Sequence, residues 1–454
     1  MSFRSINPYD GSTLQRIEAC SDTQLEQALR RAAAIAPAWR EHTWVERSRL
    51  LNAAAAVLRE RSEQLARLMS LEMGKLIKEA RGEIEKCALG CEHYAAHGAH
   101  YLADEMVVSD ASKSLIAYQP LGTVLAIMPW NFPFWQVFRF AAPALAAGNT
   151  ALLKHASNVP QCALAIEAIF VEAGFPAGVF QTLLIGADRV AALIADPRVH
   201  AVTLTGSEAA GRQVAAAAGA HLKKSVMELG GSDPFVVLED ADLDLAVQQA
   251  VASRYQNAGQ SCIAAKRFVV LEAVADEFLA RFTTAVNALR VGDPLDETTT
   301  LAPLARHDLR DELHQQVVDS LAQGATLVAG GRPLAGPGAF YEASILTTVR
   351  PGVRAYHEEL FGPVAVMMRA RDVAEALRLA NDTRFGLGGS VWSADTARAE
   401  QLARQLLCGC AFVNGMVKSD PRLPFGGVKD SGYGRELSKL GICEFVNAKT
   451  LWVR

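Results

Sequence analysis

Short apolar segments alternate with helical segments over residues 121–255, and this alternation limits the possible folds more than any other feature of the sequence. The apolar segments at 124–128, 151–154 and 202–204 have the length of buried strands. Segments with helical spacing, such as the one near 134–147, separate them. Strands that alternate with helices in this way predict an α/β fold.

The regions on either side of this segment have different patterns. Near the N-terminus, Ser21 and Gln24 form a capping-box pattern, and residues 45–101 contain few helix breakers, which predicts two or three long helices. Beyond residue 230, a strand at 235–238 and a helix at 243–255 begin a second α/β unit. No low-complexity linker is visible, so we expect the domains to pack tightly.

Composition argues against several classes of function. The 454 residues are enough for about three domains, and 50% of them are hydrophobic, which allows sizeable cores. The formal net charge is −4, without the basic surface typical of nucleic-acid-binding or membrane-binding proteins. The sequence shows neither a signal peptide nor a membrane span. We therefore expect a cytoplasmic protein that acts on small molecules.

The eight cysteines predict reduced thiols rather than a disulfide framework, because they are sparse and form no CxxC pair. Cys87 and Cys91 are one helical turn apart and could share a metal ion with His93. No second pair of ligands accompanies them, so we expect no metal site.

The segment from Tyr255 to Cys262 is a short polar turn with a glycine, between a helical segment and a β-rich one. A nucleophilic cysteine requires surroundings that favour the thiolate, since a free thiol has a pKa of about 8.5. Taken alone, Cys262 is more typical of a small buried apolar residue. No histidine is near in sequence, although a distant one could approach it in the fold.

Glu228 is a candidate general base. It ends a strand-like segment and is followed by Leu229, Gly230 and Gly231, so its carboxylate is expected on a turn that the glycines permit. A surface carboxylate at the end of a strand is the alternative interpretation.

Both segments resemble motifs of the aldehyde dehydrogenase superfamily, and the resemblance extends from residues 6–8 to 425–432. It implies that Cys262 attacks an aldehyde to form a thiohemiacetal and that Glu228 activates the water that hydrolyses the later thioester. It also implies that Asn131, within Pro-Trp-Asn-Phe-Pro, stabilises the oxyanion, although an asparagine there could instead cap the next helix. The presence of Glu228 implies a free-acid product rather than a coenzyme A thioester.

The resemblance implies NAD or NADP as the cofactor. Gly206 and Ser207 would bind phosphate at a strand–turn–helix junction, where a side chain in place of Gly206 is expected to obstruct the turn. Ser157 stands where relatives that prefer NAD often have a glutamate, so NADP is admissible and the preference stays open. The residues assigned to the cofactor are Trp130, Lys154, Ser157, Gly206, Ser207, Glu359 and Phe361.

The choice of aldehyde depends mainly on Arg139, eight residues after Asn131. Succinate semialdehyde dehydrogenases have an arginine at the matching position, where it would pair with a distal carboxylate. Gln256 replaces their second arginine, and Ser419, with its charged neighbours Lys418 and Arg422, could supply the missing contact. Succinate semialdehyde is the predicted substrate. Glutarate semialdehyde, neutral aliphatic or aromatic aldehydes, and a dinucleotide-binding protein without turnover are the alternatives.

The resemblance also implies two Rossmann-like αβ domains and a β extension for oligomerisation. Residues 1–101 and 121–230 would form the cofactor domain, and residues 231–430 the catalytic domain. Residues 102–120 and 431–454 would join subunits, because the stretch 446–453 has the pattern of an edge strand that needs a partner. We therefore expect a homodimer or a homotetramer.

Overall fold

A computed structural model describes residues 2–454 and has the predicted α/β fold. The strands are β1 (Ser2–Ile6), β2 (Thr13–Glu18), β3 (Glu105–Met106), β4 (Lys113–Pro120), β5 (Thr123–Met128), β6 (Thr150–His155), β7 (Phe180–Thr182), β8 (Ala201–Thr205), β9 (Lys224–Glu228), β10 (Asp233–Val237), β11 (Ala265–Leu271), β12 (Thr326–Ala329), β13 (Ser344–Thr347), β14 (Val364–Ala370), β15 (Gly388–Trp392), β16 (Cys410–Val413), β17 (Gly432–Tyr433) and β18 (Val446–Val453). Strands and helices alternate along most of the chain.

The helices bear out the predicted N-terminal helical region, in which three long helices follow the first. They are α1 (Asp22–Glu41), α2 (Trp44–Glu60), α3 (Ser62–Met73), α4 (Ile77–Tyr101), α5 (Trp135–Ala146), α6 (Pro160–Glu172), α7 (Val190–Ala195), α8 (Glu208–Ala220), α9 (Leu243–Tyr255), α10 (Glu272–Asn287), α11 (His307–Ala322), α12 (Arg354–His357), α13 (Val373–Asn381), α14 (Thr396–Ala403) and α15 (Ser438–Cys443). The capping box of Ser21 and Gln24 is present at the start of α1. No helix in residues 2–454 is long and apolar enough to cross a membrane.

The first large sheet has the strand order β17-β9-β8-β5-β6-β7, and all its neighbours are parallel except β17 and β9. Because parallel strands end at a common edge, β8, β9 and β6 bring Thr205, Glu228 and Lys154 to the same side of the sheet. Ligands of open α/β sheets bind at this carboxyl edge. The predicted site residues at the ends of these strands therefore face one region.

The second large sheet has the order β12-β13-β14-β11-β10-β15-β16 and is parallel except for β12. Its central strands β10, β11 and β15 are completely buried, as is usual for parallel strands covered on both faces. Cys262 lies just before β11, and Glu359 lies just before β14. Cys262, the candidate nucleophile, and Glu359, a candidate cofactor-binding residue, thus lie in loops that lead into strands of this sheet.

A third, antiparallel sheet has the order β18-β4-β3. Strand β18 forms its outer edge, and its residues after Val446 are exposed. The segment 431–454 does not act as a single element, because β17 at its start pairs with β9 of the first large sheet. Only β18 extends along the third sheet.

Helix α5 is buried along its whole length. It packs against α2 and α4 on one side and against β5 and β6 on the other. Apart from Gln136 and Arg139 its residues are apolar, as expected of a helix inside a protein core. Because α5 follows directly after the Pro-Trp-Asn-Phe-Pro turn, this packing fixes the position of that turn.

Candidate active site

One cavity of about 450 Å³ opens between the carboxyl edges of the two large sheets. Seven of the predicted site residues line it: Trp130, Asn131, Gly206, Ser207, Cys262, Glu359 and Phe361. Glu228, Lys154, Ser157, Arg139, Gln256 and Ser419 are not among its lining residues. The cavity therefore joins the proposed nucleophile to most of the proposed cofactor residues.

Cys262 follows a 3₁₀ turn whose backbone is strained. Asn257 and Ala258 both have φ of 53°, in the left-handed region that residues with a side chain seldom adopt. Gly231 is required beside this turn, because a Cβ there would lie 2.5 Å from the carbonyl oxygen of Cys262. Gly231, the last residue of the Glu-Leu-Gly-Gly motif, thus allows the turn that ends at Cys262 (the nucleophile turn) to approach the end of β9 closely.

The surroundings of the Cys262 thiol do not favour its thiolate form in this structure. Burial raises its pKa to about 12, while the positive charges of Arg139 and Lys266 act in the opposite direction. In this environment the thiol is the main form at neutral pH. The thiolate has to form as part of the reaction cycle, and the two nearby cations favour it.

Lys266 connects the nucleophile turn to Glu359 and was not identified from the sequence. Its Nζ donates to the carbonyl oxygens of Ser261, at 2.8 Å, and Cys262, at 2.9 Å. It also forms an ion pair of 3.1 Å with Glu359, whose carboxylate accepts a hydrogen bond from the Gly231 N–H. One buried ammonium group therefore holds both the nucleophile turn and a cofactor candidate.

Asn131 lies against the nucleophile turn. Its side-chain Nδ2 donates to the backbone carbonyl oxygen of Gln260 at 3.1 Å. The backbone carbonyl oxygen of Asn131 accepts from Nδ2 of Asn257 at 2.8 Å. An amide nitrogen has two N–H groups, so one remains for another acceptor. This second N–H can bind an oxyanion in the cavity that Asn131 lines.

Asn131 does not cap the following helix, so that alternative is wrong. The N–H groups of Phe134 and Trp135, at the start of α5, donate to Glu83 Oε1, each at 2.9 Å. A carboxylate at this end of a helix is favoured by the helix dipole. Lys75 is ion-paired with the other oxygen of Glu83.

Glu228 ends β9 and is fully buried. Neither of its carboxylate oxygens has a hydrogen-bond partner among the described residues. Burial raises its pKa well above the usual range, and the neighbouring Glu436 raises it further, whereas Arg139 lowers it. Gly426 leaves room for this carboxyl group, because a Cβ there would lie 2.7 Å from Oε1. A carboxyl group without a partner in such surroundings can act as a proton acceptor.

The residues at the start of α8 fit a phosphate group. Ser207 is the N-cap, and its hydroxyl accepts from the Ala210 N–H at 3.4 Å. Both Gly206 and Ser207 line the cavity at the N-terminus of α8, which attracts anions. We expected a side chain in place of Gly206 to obstruct the turn. This expectation is wrong, because a Cβ at position 206 would lie 3.6 Å from the Leu204 side chain, an ordinary contact distance.

The two aromatic candidates form one wall of the cavity. The rings of Trp130 and Phe361 meet edge to face, with centroids 5.8 Å apart. Lys154 is half-buried near the end of β6, where burial lowers its pKa, and Ser157 is exposed on the loop that follows. Lys154 and Ser157 lie at the carboxyl edge of the first large sheet, outside the lining of the cavity.

Arg139 is buried on α5 and has a carboxylate partner within the chain. It forms an ion pair with Glu436, and its Nη2 donates to Thr205 Oγ1 at 3.3 Å. Its guanidinium group also lies over the ring of Phe425, 4.6 Å from the centroid. The sequence suggested that this charge is available to a substrate, but the structure shows it shared with Glu436.

The other residues predicted to bind the substrate differ in how exposed they are to solvent. Ser419 is buried, and its hydroxyl oxygen accepts from Lys86 Nζ at 2.7 Å and from Trp135 Nε1 at 3.0 Å. Gln256 is exposed at the end of α9. Arg422, which neighbours Ser419 in sequence, is exposed and ion-paired with Asp420. Only Ser419 belongs to a buried polar cluster.

No cluster of three or more histidine, cysteine or acidic side chains suited to a metal ion occurs in residues 2–454. Cys87 and Cys91 are both buried on α4. Burial raises the pKa of both thiols, so they behave as apolar core residues.

Comparisons with known proteins show the family to which this chain belongs. Residues 1–451 match the Aldehyde dehydrogenase family. The probable succinate-semialdehyde dehydrogenase (NADP(+)) of Synechocystis sp. is 54% identical to this chain, over 100% of both proteins. The succinate semialdehyde dehydrogenase (NAD(P)+) of Escherichia coli K12 is 50% identical, over 99% of this chain and 97% of that protein.

Solved structures show the same likeness. The crystal structure of succinic semialdehyde dehydrogenase from Streptococcus pyogenes in complex with NADP+ superposes with a TM-score of 0.98 and 38% identity, over 99% of each chain. Sequence and fold thus agree over the whole length: this chain belongs to the aldehyde dehydrogenase family.

Proposed function

We propose that this enzyme oxidises succinate semialdehyde to succinate with NAD or NADP. The observation that carries the proposal is identity of about one half, along the entire chain, to proteins named for this activity. The cysteine, the amide and the buried carboxyl group that such a reaction needs are all present beside one cavity or its edge.

In the proposed reaction, the Cys262 thiol first loses its proton to solvent water. The thiolate sulfur then bonds to the aldehyde carbon, and the carbonyl oxygen becomes an oxyanion. The free N–H of Asn131 and the backbone N–H of Cys262 donate to that oxygen, which lowers the barrier to attack. NAD or NADP, when bound, would supply the acceptor for the hydride of the thiohemiacetal carbon. A thioester on Cys262 remains, and two electrons have left the substrate.

Hydrolysis of the thioester is assigned to Glu228. As a carboxylate it removes a proton from a water molecule, which then adds to the thioester carbon and releases succinate and the Cys262 thiol. The raised pKa of Glu228 makes its carboxylate a stronger base than an exposed glutamate. No coenzyme A is needed in this sequence of steps.

The cofactor would be held by three parts of the chain. The start of α8, with Gly206 and Ser207, would bind phosphate, and Lys154 with Ser157 would face the adenosine ribose. Glu359, fixed by Lys266, would bind the nicotinamide ribose, and Phe361 would support the ring. An uncharged side chain at Ser157 leaves room for a 2′-phosphate, so NADP is accepted as well as NAD.

The test is the absorbance of the reduced nicotinamide in assays of purified protein. Succinate semialdehyde, glutarate semialdehyde, butyraldehyde and benzaldehyde are each compared with NAD and with NADP. We expect the highest kcat/KM for succinate semialdehyde, followed by glutarate semialdehyde, because one methylene changes binding by only about 1–3 kcal/mol. A preference for butyraldehyde or benzaldehyde would refute the assigned substrate but not the chemistry. Absence of turnover with every aldehyde would favour a dinucleotide-binding protein.

We also propose that the two large sheets have different roles and that the protein forms an oligomer. The six-stranded sheet would form the cofactor domain, the seven-stranded sheet the catalytic domain, and β18 would join subunits into a homodimer or homotetramer. The exposed edge of β18 supports this arrangement. A cytoplasmic location is supported by eight cysteines that are all free.

A further inference from the structure

His155 is a buried histidine at the end of β6, directly after Lys154. Its Nε2 lies 2.9 Å from the carbonyl oxygen of Pro133, and its Nδ1 accepts from the Ala156 N–H at 2.8 Å. A carbonyl oxygen only accepts hydrogen bonds, and Nδ1 is already an acceptor, so the ring proton is on Nε2. His155 is therefore the neutral Nε2–H tautomer, and it donates to Pro133.

The carbonyl group of Pro133 depends on this donor. Pro133 is the last residue of the Pro-Trp-Asn-Phe-Pro turn and has no N–H, so its carbonyl oxygen is the only backbone group with which it forms hydrogen bonds. It is buried, and among the described residues His155 is the one donor to this oxygen. The N–H groups of Phe134 and Trp135, which follow it, donate to Glu83. Loss of the imidazole would leave a buried carbonyl group without a partner.

The orientation of Asn131 depends on the position of Pro133, which is only two residues further along the chain. One N–H of the Asn131 amide donates to Gln260 in the nucleophile turn, and the other is left for the oxyanion. The direction of this second N–H follows from the position of the backbone that carries the amide. His155 fixes that backbone from β6 of the first large sheet.

The arrangement of the strands explains why His155 reaches this turn. Strands β5 and β6 are parallel neighbours, and Met128, the last residue of β5, is opposite His155. The turn that follows β5 thus passes the end of β6. His155 is not among the residues that line the cavity, so its effect on the reaction passes through the turn and not through contact with the substrate.

We propose that His155 is a positioning residue of the oxyanion site. Its Nε2–H holds the carbonyl group of Pro133 and thereby directs the free N–H of Asn131 toward the oxyanion that forms on the aldehyde. This inference rests on the proposed function, since it assumes that Asn131 stabilises that oxyanion. A displacement of about 1 Å can cost roughly 100-fold in rate, so one hydrogen bond outside the cavity is enough to affect the reaction.

The protonation state of His155 agrees with such a role. Burial lowers its pKa to about 4, and the charge of Lys154 lowers it as well, while the hydrogen bond to Pro133 acts in the opposite direction. The imidazole is thus neutral at pH 7. It keeps its donor on Nε2 and its acceptor on Nδ1, and it places no charge beside the turn.

The test separates the two hydrogen bonds of the imidazole with two substitutions. Asparagine places its side-chain oxygen near the position of Nδ1, so His155→Asn keeps the acceptor for Ala156 and loses the donor to Pro133. Glutamine extends its NH2 group to the position of Nε2, so His155→Gln keeps the donor to Pro133. A positioning role requires a defect in His155→Asn and a nearly normal His155→Gln.

The first measurement is the release of p-nitrophenolate from p-nitrophenyl acetate without cofactor. Attack of the Cys262 thiolate on this ester forms an oxyanion, which expels p-nitrophenolate and leaves an acetyl thioester on the sulfur. We expect His155→Asn to slow this acylation roughly 3- to 30-fold and His155→Gln less than about threefold, against roughly 100-fold or more for Asn131→Ala. The burst of reduced nicotinamide with succinate semialdehyde gives the same comparison for an aldehyde.

Further measurements distinguish positioning from general damage to the fold. Alkylation of Cys262 by iodoacetamide, followed by mass spectrometry, forms no oxyanion and should keep the wild-type rate in His155→Asn. In an Asn131→Ala background, His155→Asn should slow acylation by less than about twofold, because the group that it positions is absent. His200→Asn is the matched control, because His200 is exposed and its Nδ1 accepts from the Thr123 N–H at the opposite end of β5. It should leave acylation unchanged.

Four results would each overturn the inference: equal defects in His155→Asn and His155→Gln, a parallel loss of Cys262 alkylation, an undiminished effect in the Asn131→Ala background, or normal acylation in His155→Asn. If His155→Asn does not fold, His155→Leu, which is close to histidine in volume and cannot donate, is judged by the same criteria. Asn131→Ala tests the proposed function separately. Normal acylation in that variant refutes the role of Asn131 and with it that of His155, whereas slow acylation there and normal acylation in His155→Asn refute only the role of His155.

Discussion

The carboxyl group of Glu228 is buried close to a second carboxyl group, that of Glu436. Burial and this neighbour raise the pKa of Glu228, and burial raises the pKa of Glu436 as well, although Arg139 stabilises its charged form. Because the shift is upward, Glu228 is protonated at pH values where an exposed glutamate is ionised. The fraction present as a base therefore still grows with pH above the range in which an exposed glutamate titrates.

From this environment we predict a specific defect in Glu228→Gln. Formation of the thioester and of the first equivalent of reduced cofactor should persist, but hydrolysis should slow roughly 100-fold or more, the usual contribution of a general base. Stopped-flow absorbance should then show a burst followed by slow turnover. In wild type, steady-state turnover limited by hydrolysis should rise with pH, and this rise should be absent in the variant.

Glu444→Gln is a suitable control. The charge of Glu444 also raises the pKa of Glu228, but Glu444 is half-buried and ion-paired with Lys224. It should keep normal turnover after the burst. Loss of the burst itself in Glu228→Gln would show that the carboxyl group acts before hydride transfer, contrary to the role assigned here.

At the scale of single residues, sequence motifs identified the groups that meet in the cavity but not the groups that hold them. Cys262 and Glu359 stand in recognisable motifs, whereas Lys266, which connects them, stands in none. Lys86 and Ser419 are 333 residues apart in sequence. Only tertiary packing, here of α4 against the loop that follows β16, brings such partners together, so spacing in the sequence contains no signal for them.

At the scale of elements, α5 depends on a carboxylate from another helix. Glu83 on α4 accepts hydrogen bonds from the first N–H groups of α5 and pairs with Lys75, and both side chains are almost completely buried. This connection fixes the end of α5 that follows Asn131. The orientation of the oxyanion amide is thus coupled to the helical N-terminal region.

We predict that Glu83→Gln destabilises the protein by about 3–5 kcal/mol, because it leaves the buried charge of Lys75 without a partner. Urea denaturation followed by fluorescence gives the free energy of unfolding. The double variant Glu83→Gln with Lys75→Met should recover a large part of the loss, since it removes the unpaired charge. A double variant no more stable than Glu83→Gln would contradict this explanation and point to the caps on α5 instead.

Most elements could be predicted from their patterns, and the exceptions have physical causes. The capping box fixed the start of α1, and alternating apolar segments located the strands of the first large sheet. Strand β7 has three residues, Phe180–Thr182, and lies at the edge of its sheet, where within residues 2–454 it pairs with β6 alone. Strand β17 has two residues, too short for any periodicity to mark it.

At the scale of the whole molecule, the third sheet leaves one long strand with an unpaired edge. Strand β18 pairs with β4 on one side, and its other side has no strand partner within residues 2–454. Leu451, Trp452 and Val453 are between 41% and 52% exposed there. A long, exposed apolar edge of this kind is normally covered in solution, and a second copy of the same strand is a suitable cover.

We therefore predict that Leu451→Lys with Val453→Lys disrupts assembly. Light scattering should give a mass that is a multiple of 48.7 kDa for wild type and a value close to 48.7 kDa for the double variant. Charges that face each other across a paired edge repel and lose the apolar contact at the same time. The control is Leu164→Lys with Val171→Lys, two exposed apolar residues of α6, which should leave the mass unchanged. A double variant of β18 that keeps the wild-type mass would place the subunit contact elsewhere on the molecule.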